Sequence, residues 1–444
     1  MNTPLQSQSH LNVPDAQPNG LPWRGGLAYG LLGFPLAFAA LPLYVVLPNY
    51  YARSFGLSLA TVGALMMVVR LMDAIVDPWL GRASDALFAC SARAVLWVGA
   101  GAALLQWSGM AGLFFPAMTN QTALAVWLVA GLLLTCIAHS FLVIAHQAWG
   151  VRLGGDELLR SRIVAWREGL GLAGVIAASA LSVVWGAYAM LAVFGCALLL
   201  GWSFWWRAPQ PLKLSVPQRS ESASLWQPLV QPAFRRLLAV FVCNGIASAI
   251  PAALMLFFAQ DRLRASEQAT AVFLVLYFIC AAASMPLWLR SIRRFGLVWS
   301  WLFGMLLAVL CFAWTASLGS GQIQAFALIC ALTGIALGAD LAIPGALLAK
   351  LIEQQGAQGS HDGAYLGWWN LATKLNLALA AGAALPLLQW LGYAPGSHDE
   401  QALQHLAWAY ALVPCTLKLI AACLLYVLLI RPERESRFNW RNAS

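Results

Sequence analysis

A chain of 444 residues that is 61% apolar and 10% charged, with a mean hydropathy of +0.72, has too few polar groups to clothe a soluble core. That balance excludes a soluble enzyme, a disordered chain and a secreted disulfide scaffold. The formal charge of +9 would ordinarily raise nucleic acid as a partner, but the distribution of the basic residues along the chain gives it another meaning.

The first 24 residues are polar and lack a basic segment ahead of an apolar run, so no cleaved signal peptide is expected. A bilayer-spanning helix needs about 20 mostly apolar residues. Twelve such stretches are predicted, at 25–50, 58–81, 94–116, 124–149, 164–186, 187–206, 236–259, 269–290, 297–318, 322–350, 363–392 and 403–430. No run of short alternating segments suggests an outer-membrane barrel. With an even number of spans both ends lie on one side. That side collects 19 of the 26 basic residues, the other only Arg53, Arg262 and Arg264, and Arg70, Arg167, Lys374 and Lys418 remain within or at the edge of spans. This asymmetry predicts cytoplasmic termini and explains the net charge as an orientation signal, with no nucleic acid implied. Of the nine Cys all but Cys90 fall in spans, and no CxxC or Cys/His spacing suggests a metal site or disulfide framework. The Pro-, Ser- and Gln-rich stretch 207–235 divides the spans six and six. The predicted fold is therefore all-α: a cytoplasmic tail 1–24, a six-helix bundle 25–206, a cytoplasmic linker 207–235, a second and pseudo-symmetric bundle 236–430, and a tail 431–444.

Charges inside the hydrocarbon are costly, so each is a functional candidate. Span 1 carries none between Gly26 and Pro48. Span 2 reads TVGALMMVVRLMDAIVDPWLG and sets Arg70, Asp73 and Asp77 on one helix face. Two carboxylates one turn apart repel unless a cation or proton lies between them, which suits Na⁺ or H⁺. The plainer alternative is a salt bridge to Arg70 at a helix end. Asp85 follows in the basic connection after Gly81, where a loop ion pair or gate is expected. Span 4 reads LLLTCIAHSFLVIAHQAWG and aligns His139, Ser140, Val143, His146 and Gln147 along one side. Its histidines suit proton carriage or solute binding, against the alternative of interior hydrogen-bonded rings. Two His on one face cannot supply the opposed axial ligands of a haem. Arg167 and Glu168 open span 5, Asp340 lies in span 10 and Lys374 inside span 11, too deep for simple snorkelling. Trp368 and Trp369 beside it read as interfacial belt or as stacking surfaces.

These residues resemble a known pattern. The segment NYYARSFGLSLATVGALMMVVRLMDAIVDPWLGRASDA, Asn49 to Ala86, is similar to the span-2 motif of the glycoside–pentoside–hexuronide:cation symporters, the melibiose-permease-like family of the major facilitator superfamily. Weaker matches are AWREGLGLAG at 165–174, VCNGIASAIPAAL at 242–254 and the WWN/TK pattern at Lys374. The resemblance implies that Asp73 and Asp77, with the Ser140 hydroxyl, bind the coupling cation. It also makes Arg167 and Lys374 the family's span-5 Arg and span-11 Lys. The family's Asn before the second acid is Val76 here, which weakens Na⁺ relative to H⁺. Its sugar-reading acids in spans 1 and 4 correspond to Ala37 and Val143, so a galactoside is not expected.

The expected function is a cation-coupled symporter of a small organic solute other than a galactoside in the inner membrane, the solute being read by His146, Gln147, Arg167, Asp340 and Lys374. Arg70 and Asp85 are expected as structural or gating charges. No cofactor beyond Na⁺ or H⁺ and no metal beyond Na⁺ at Asp73 and Asp77 is implied. The partners are the solute and the lipid bilayer, and the chain is expected to be monomeric. Alternatives are an exporter or uncoupled carrier of an amphipathic or lipid-like solute, a channel, and a membrane-embedded transferase using His139 or His146 as base.

Overall fold

The computed structural model describes residues 21–432, apart from 119, 185, 213–223, 391, 394–395 and 397–398. Residues 1–20 of the expected N-terminal tail, the middle of the linker with Lys213 and Arg219, and the C-terminal Arg434, Arg437 and Arg441 lie outside the described residues, and the last residues of the tail already belong to α1. In hydrocarbon every backbone N–H and C=O must be satisfied within the chain, and the described residues meet this with helices. In chain order these are α1 (Trp23–Gly30), α2 (Gly33–Leu41), α3 (Leu47–Phe55), α4 (Leu59–Cys90), α5 (Ala92–Phe114), α6 (Gln121–Arg152), α7 (Glu157–Val184) and α8 (Gly186–Trp206), then α9 (Gln227–Val230), α10 (Pro232–Phe257), α11 (Glu267–Phe295), α12 (Leu297–Phe312), α13 (Ile323–Gln354), α14 (Asp362–Trp390) and α15 (Glu400–Leu425).

The first apolar stretch is broken where proline withholds an N–H. The break between α1 and α2 lies just ahead of Pro35, and Pro42 opens a π-helical turn, Pro42–Val46, before α3. Side-chain caps begin several later helices. Ser58 accepts from the Thr61 N–H at 3.1 Å, Ser91 from Ala94 at 3.0 Å and Asn120 from Thr122 at 2.9 Å.

Nine helical stretches among the described residues are long and apolar enough to cross a bilayer. The helices α4, α7 and α14, of 32, 28 and 29 residues, are long enough as well and carry Arg70, Asp73, Asp77, Arg167 and Lys374. Two boundaries differ from the sequence expectation. At about 1.5 Å per residue α4 is longer than the hydrocarbon is thick, and it continues through Arg82 and Asp85 to Cys90, so Asp85 sits on a helix rather than in a loop. The chain turns only at Ser91, whose hydroxyl caps α5. Likewise α7 begins at Glu157, which sets Arg167 and Glu168 roughly three turns inside the helix rather than at its start.

Large apolar side chains such as Met67, Trp97, Leu104, Leu199 and Leu310 are exposed on the outer surface, as expected where lipid is the solvent. Inside, Trp149, Trp205, Trp301, Phe38 and Phe194 are fully buried. The halves before and after the linker meet where α4 packs on α14 and α7 packs on α11 and α13. The α4–α14 approach is backbone on backbone: a Cβ at Gly81 would come within 2.0 Å of the Gly363 carbonyl oxygen, and one at Gly367 within 2.6 Å of the Asp77 carbonyl oxygen. Only glycine permits this contact.

Candidate functional site

The face of α4 that carries Asp73 and Asp77 turns inward, leaving the two residues 2% and 0% exposed. Their partner comes from the other half. The Lys374 ammonium on α14 lies 2.7 Å from Asp73 Oδ2 and 2.7 Å from Asp77 Oδ1, and donates to Ser140 Oγ on α6 at 2.7 Å. All three of its protons are thereby directed to oxygen. Ser140 in turn donates to Asp73 Oδ1 at 2.9 Å. One lysine thus closes a centre built from α4, α6 and α14, and its charge answers the repulsion between two carboxylates held one turn apart. Asp77 Oδ2 is buried without a hydrogen-bond partner among the described residues.

The oxygens of two carboxylates and a hydroxyl are hard ligands suited to a small monovalent cation or a shared proton. Among the described residues no group of three or more His, Cys, Asp and Glu is gathered that could hold a transition metal. Arg70 lies apart from this centre. Its guanidinium stands 3.9 Å over the Tyr44 ring, a cation–π contact, so the acids are neutralised by Lys374 on a distant helix and not by the arginine three residues away. His139 Nδ1 lies 2.9 Å from Gln106 Nε2, where the amide donates to the ring.

Lys374, expected to read solute, lies instead between the two acids, and the other expected solute-binding residues separate into three settings. Gln147 and Arg167, with Tyr29, Val164 and Trp369, line a small cleft of about 40 Å³ between the halves. Arg167 Nε also donates to the neighbouring Glu168 at 3.1 Å.

His146 is not among the residues that line this cleft. It is fully buried, its Nε2 donates to the Tyr29 carbonyl at 2.7 Å, and the Tyr29 hydroxyl donates back to the His146 carbonyl at 3.1 Å. The Tyr29 ring lies tilted against the imidazole at 4.4 Å and Trp205 meets it edge-on at 5.5 Å. The imidazole therefore clamps α1 to α6, the interior hydrogen-bonded setting that the sequence left open as the alternative for this residue.

Asp340 is also removed from the Lys374 centre. It pairs with Lys418 Nζ of α15 at 2.7 Å and accepts from Trp301 Nε1 at 2.9 Å and Asn244 Nδ2 at 3.1 Å. Lys418 was legible as an intramembrane charge, but its role depends on this pairing.

A second ionic layer closes the end of the molecule that bears the basic connections. Asp85 accepts from the Gly363 and Ala364 N–H groups at 2.8 and 3.0 Å, and so caps the N-terminus of α14 from the opposite half. Arg152 Nη2 donates to Asp85 at 3.2 Å and its Nε lies 2.7 Å from Asp362 Oδ2, while its plane covers Phe88 at 4.0 Å. Lys350 pairs with Glu157 at 2.6 Å and Arg160 pairs with Glu353. Arg152, Arg160 and Lys350 read in the sequence only as orientation signals; their acidic partners lie in distant helices and nothing local announced them. Among the described residues, the hydrogen bonds and ion pairs that join the halves run from the level of Lys374 to this end.

The sequence profile of a family described as MFS/sugar transport protein matches residues 25–431. The fold is similar to that of a bacterial homologue of the iron transporter ferroportin in an outward-facing state, at a TM-score of 0.67 and 15% identity over 91% of this chain and 98% of that one. It is similar too to the human organic anion transporter MFSD10 (TETRAN), at a TM-score of 0.61 and 19% identity over 90% of this chain and 97% of that one. At these identities the likeness is one of fold. The architecture is the all-helical, multi-pass membrane fold of the major facilitator type, and the molecule is a membrane transporter rather than an enzyme.

Proposed function

Because the chain belongs to the family of MFS/sugar transport proteins, we propose that it is a secondary active transporter of the melibiose-permease-like kind, which couples Na⁺ or H⁺ to the symport of a small organic solute. In this reading twelve helices cross the inner membrane in two six-helix halves, 25–206 and 236–430, with both termini cytoplasmic and the chain acting as a monomer. The basic end, held by Asp85, Arg152 and Asp362, is then the closed cytoplasmic gate, and the arrangement is the one that receives solute from outside.

The observation that carries the reading is the Lys374 ammonium between Asp73 and Asp77, 2.7 Å from each. A coupling cation competes for the same oxygens. Its arrival, as Na⁺ ligated by Asp73, Asp77 and Ser140 or as a proton on the acid pair, makes the lysine's charge redundant and frees it from α4. Since α4 and α14 belong to different halves, that exchange alters the bond between them, and alternating access follows when one half rocks on the other. Solute bound in the cleft of Gln147 and Arg167 is sensed through the same interface, and the two ligands must favour each other's binding equally. The missing acids at Ala37 and Val143 argue against a galactoside.

The test is the thermal stability of the purified transporter as a function of Na⁺ and of pH. Wild type is expected to respond to one of them, and Asp73→Asn and Asp77→Asn to neither. Equal responses in all three proteins would remove the cation assignment.

A further inference from the structure

A cavity lies inside the second half, away from the Lys374 centre. It encloses about 510 Å³, in the range of small-molecule sites. Its walls are mainly apolar and unusually aromatic, with Phe273, Tyr277, Phe312 and Tyr410 among them. Their mutual orientation is fixed by further ring contacts: Phe312 lies 5.2 Å from Tyr410, and Tyr410 stacks on Phe258 at 4.4 Å. Among the described residues the one lining residue from the first half is Leu172 of α7, so the cavity is completed at the seam where α7 meets α11.

The polar end is a built site with an excess of donors. Lys418 gives one proton to Asp340 at 2.7 Å and one to Ser248 at 3.0 Å, which leaves a third. The Asp340 carboxylate already accepts from Lys418, Trp301 and Asn244. Ser248 accepts from Lys418 and retains its own hydrogen. The hydroxyls of Tyr277 and Tyr410 have no hydrogen bond to another described residue. Donors left unpaired in an apolar enclosure are costly, and a ligand with an oxygen acceptor satisfies them, whereas a cation would confront the Lys418 ammonium. Aromatic walls favour ring-bearing ligands through offset and edge-to-face contacts.

We propose that this cavity is a binding site for a compact aromatic molecule carrying one oxygen acceptor, held by the Lys418, Tyr277 and Tyr410 donors against the aromatic wall. The site goes beyond the transporter reading, which places its solute in the separate cleft of Gln147 and Arg167, and it concerns binding, which is measured without any ion gradient. The ring lies against Phe273, Phe312 and Tyr410, and the acceptor lies toward Lys418. An occupant also touches Leu172, so its departure is tied to separation of α7 from α11.

The probes are 1-naphthoate, 2-acetonaphthone, 1-naphthylmethylammonium and decanoate, added to the purified transporter in nanodiscs. At tenfold excess over its Kd a ligand should raise the Tm by about 1–2 °C on the scaling for a chain of this size. The two naphthyl acceptors are expected to do so and the ammonium is not. Ala252→Trp, which fills the cavity from α10, is expected to abolish the shift. Independently of any variant, 1-naphthoate should slow alkylation of the wall residues Cys330 and Cys415, mapped by mass spectrometry, by tenfold or more. Equal stabilisation by decanoate would assign the cavity to lipid chains instead, and overturn the proposal. Equal stabilisation by the ammonium, or unchanged alkylation of both thiols, would overturn it as well.

Discussion

Lys374→Met removes the one cation from a buried centre while keeping the length of the side chain. Two ion pairs at 2.7 Å are lost, together with the bond to Ser140, and Asp73 and Asp77 are left 2% and 0% exposed with no counter-charge. Removing one member of a buried ion pair costs about 3–5 kcal/mol. With an unfolding entropy of about 2.1 cal/mol/K per residue, a chain of 444 residues has a total of about 0.9 kcal/mol/K. The Tm should therefore fall by about 3–5 °C in a solution of neutral pH without Na⁺. The direction of rescue is the informative part. A carboxylate pair without its lysine is a better site for an external cation, so the loss should shrink on adding Na⁺ or on acidifying. For a site with a millimolar Kd, 100 mM Na⁺ returns about 2.7 kcal/mol, or about 3 °C. Differential scanning fluorimetry across Na⁺ concentration and pH measures both effects, with K⁺ as the ionic-strength control. A variant that loses stability but recovers under neither condition, or one that melts with wild type, would refute the view that Lys374 holds the place of a coupling ion.

Other outcomes follow from the same geometry. In vesicles, Asp73→Asn and Asp77→Asn should each abolish gradient-driven uptake while leaving solute-induced thermal shifts measurable; wild-type transport kinetics in both would remove their coupling role. Gly81→Val places a side chain against the Gly363 carbonyl, where a Cβ already comes within 2.0 Å, so α4 and α14 must part. At an overpacking cost of about 1–3 kcal/mol, the closed end should open, raising alkylation of a Ser84→Cys reporter, buried in the parent, by about tenfold. Asp340→Asn and Lys418→Met should each lower the Tm, whereas the double variant should recover most of the loss, because the penalty of a single change is the unpaired charge left behind. Additive losses would show that the pair does not act as a unit. Tyr29→Phe deletes the hydroxyl that donates to the His146 carbonyl at 3.1 Å and should cost about 1 kcal/mol, read as a Tm loss of about 1 °C with no change in the response to Na⁺ or pH.

The class of the molecule and its short roster of internal charges were open to reading from residue order alone. Hydropathy is a local property, because a helix in lipid satisfies its own backbone, and so composition in a window of about 20 residues announces a span. The i, i+3, i+7 spacing of Arg70, Asp73 and Asp77 likewise fixes a shared face. A face, however, does not name the helix opposite. Asp77 and Lys374 are separated by 297 positions and Ser140 and Lys374 by 234, and only the packing of α14 on α4 and α6 makes them one centre. Packing of other helices gave Asp340 to Lys418, turned His146 into a clamp on Tyr29, and withdrew Arg70 to Tyr44. Helix ends were blurred for a related reason: α4 runs on through Asp85 because its last turns are held by Gly363, Ala364 and Arg152 from other helices, a support that local sequence does not display. Sequence by itself thus determined a helical membrane protein with a few charges too costly to be idle. Tertiary structure decided which of those charges neutralise one another, because in a medium that cannot solvate them, the identity of the neighbour across the helix interface sets the energy of each.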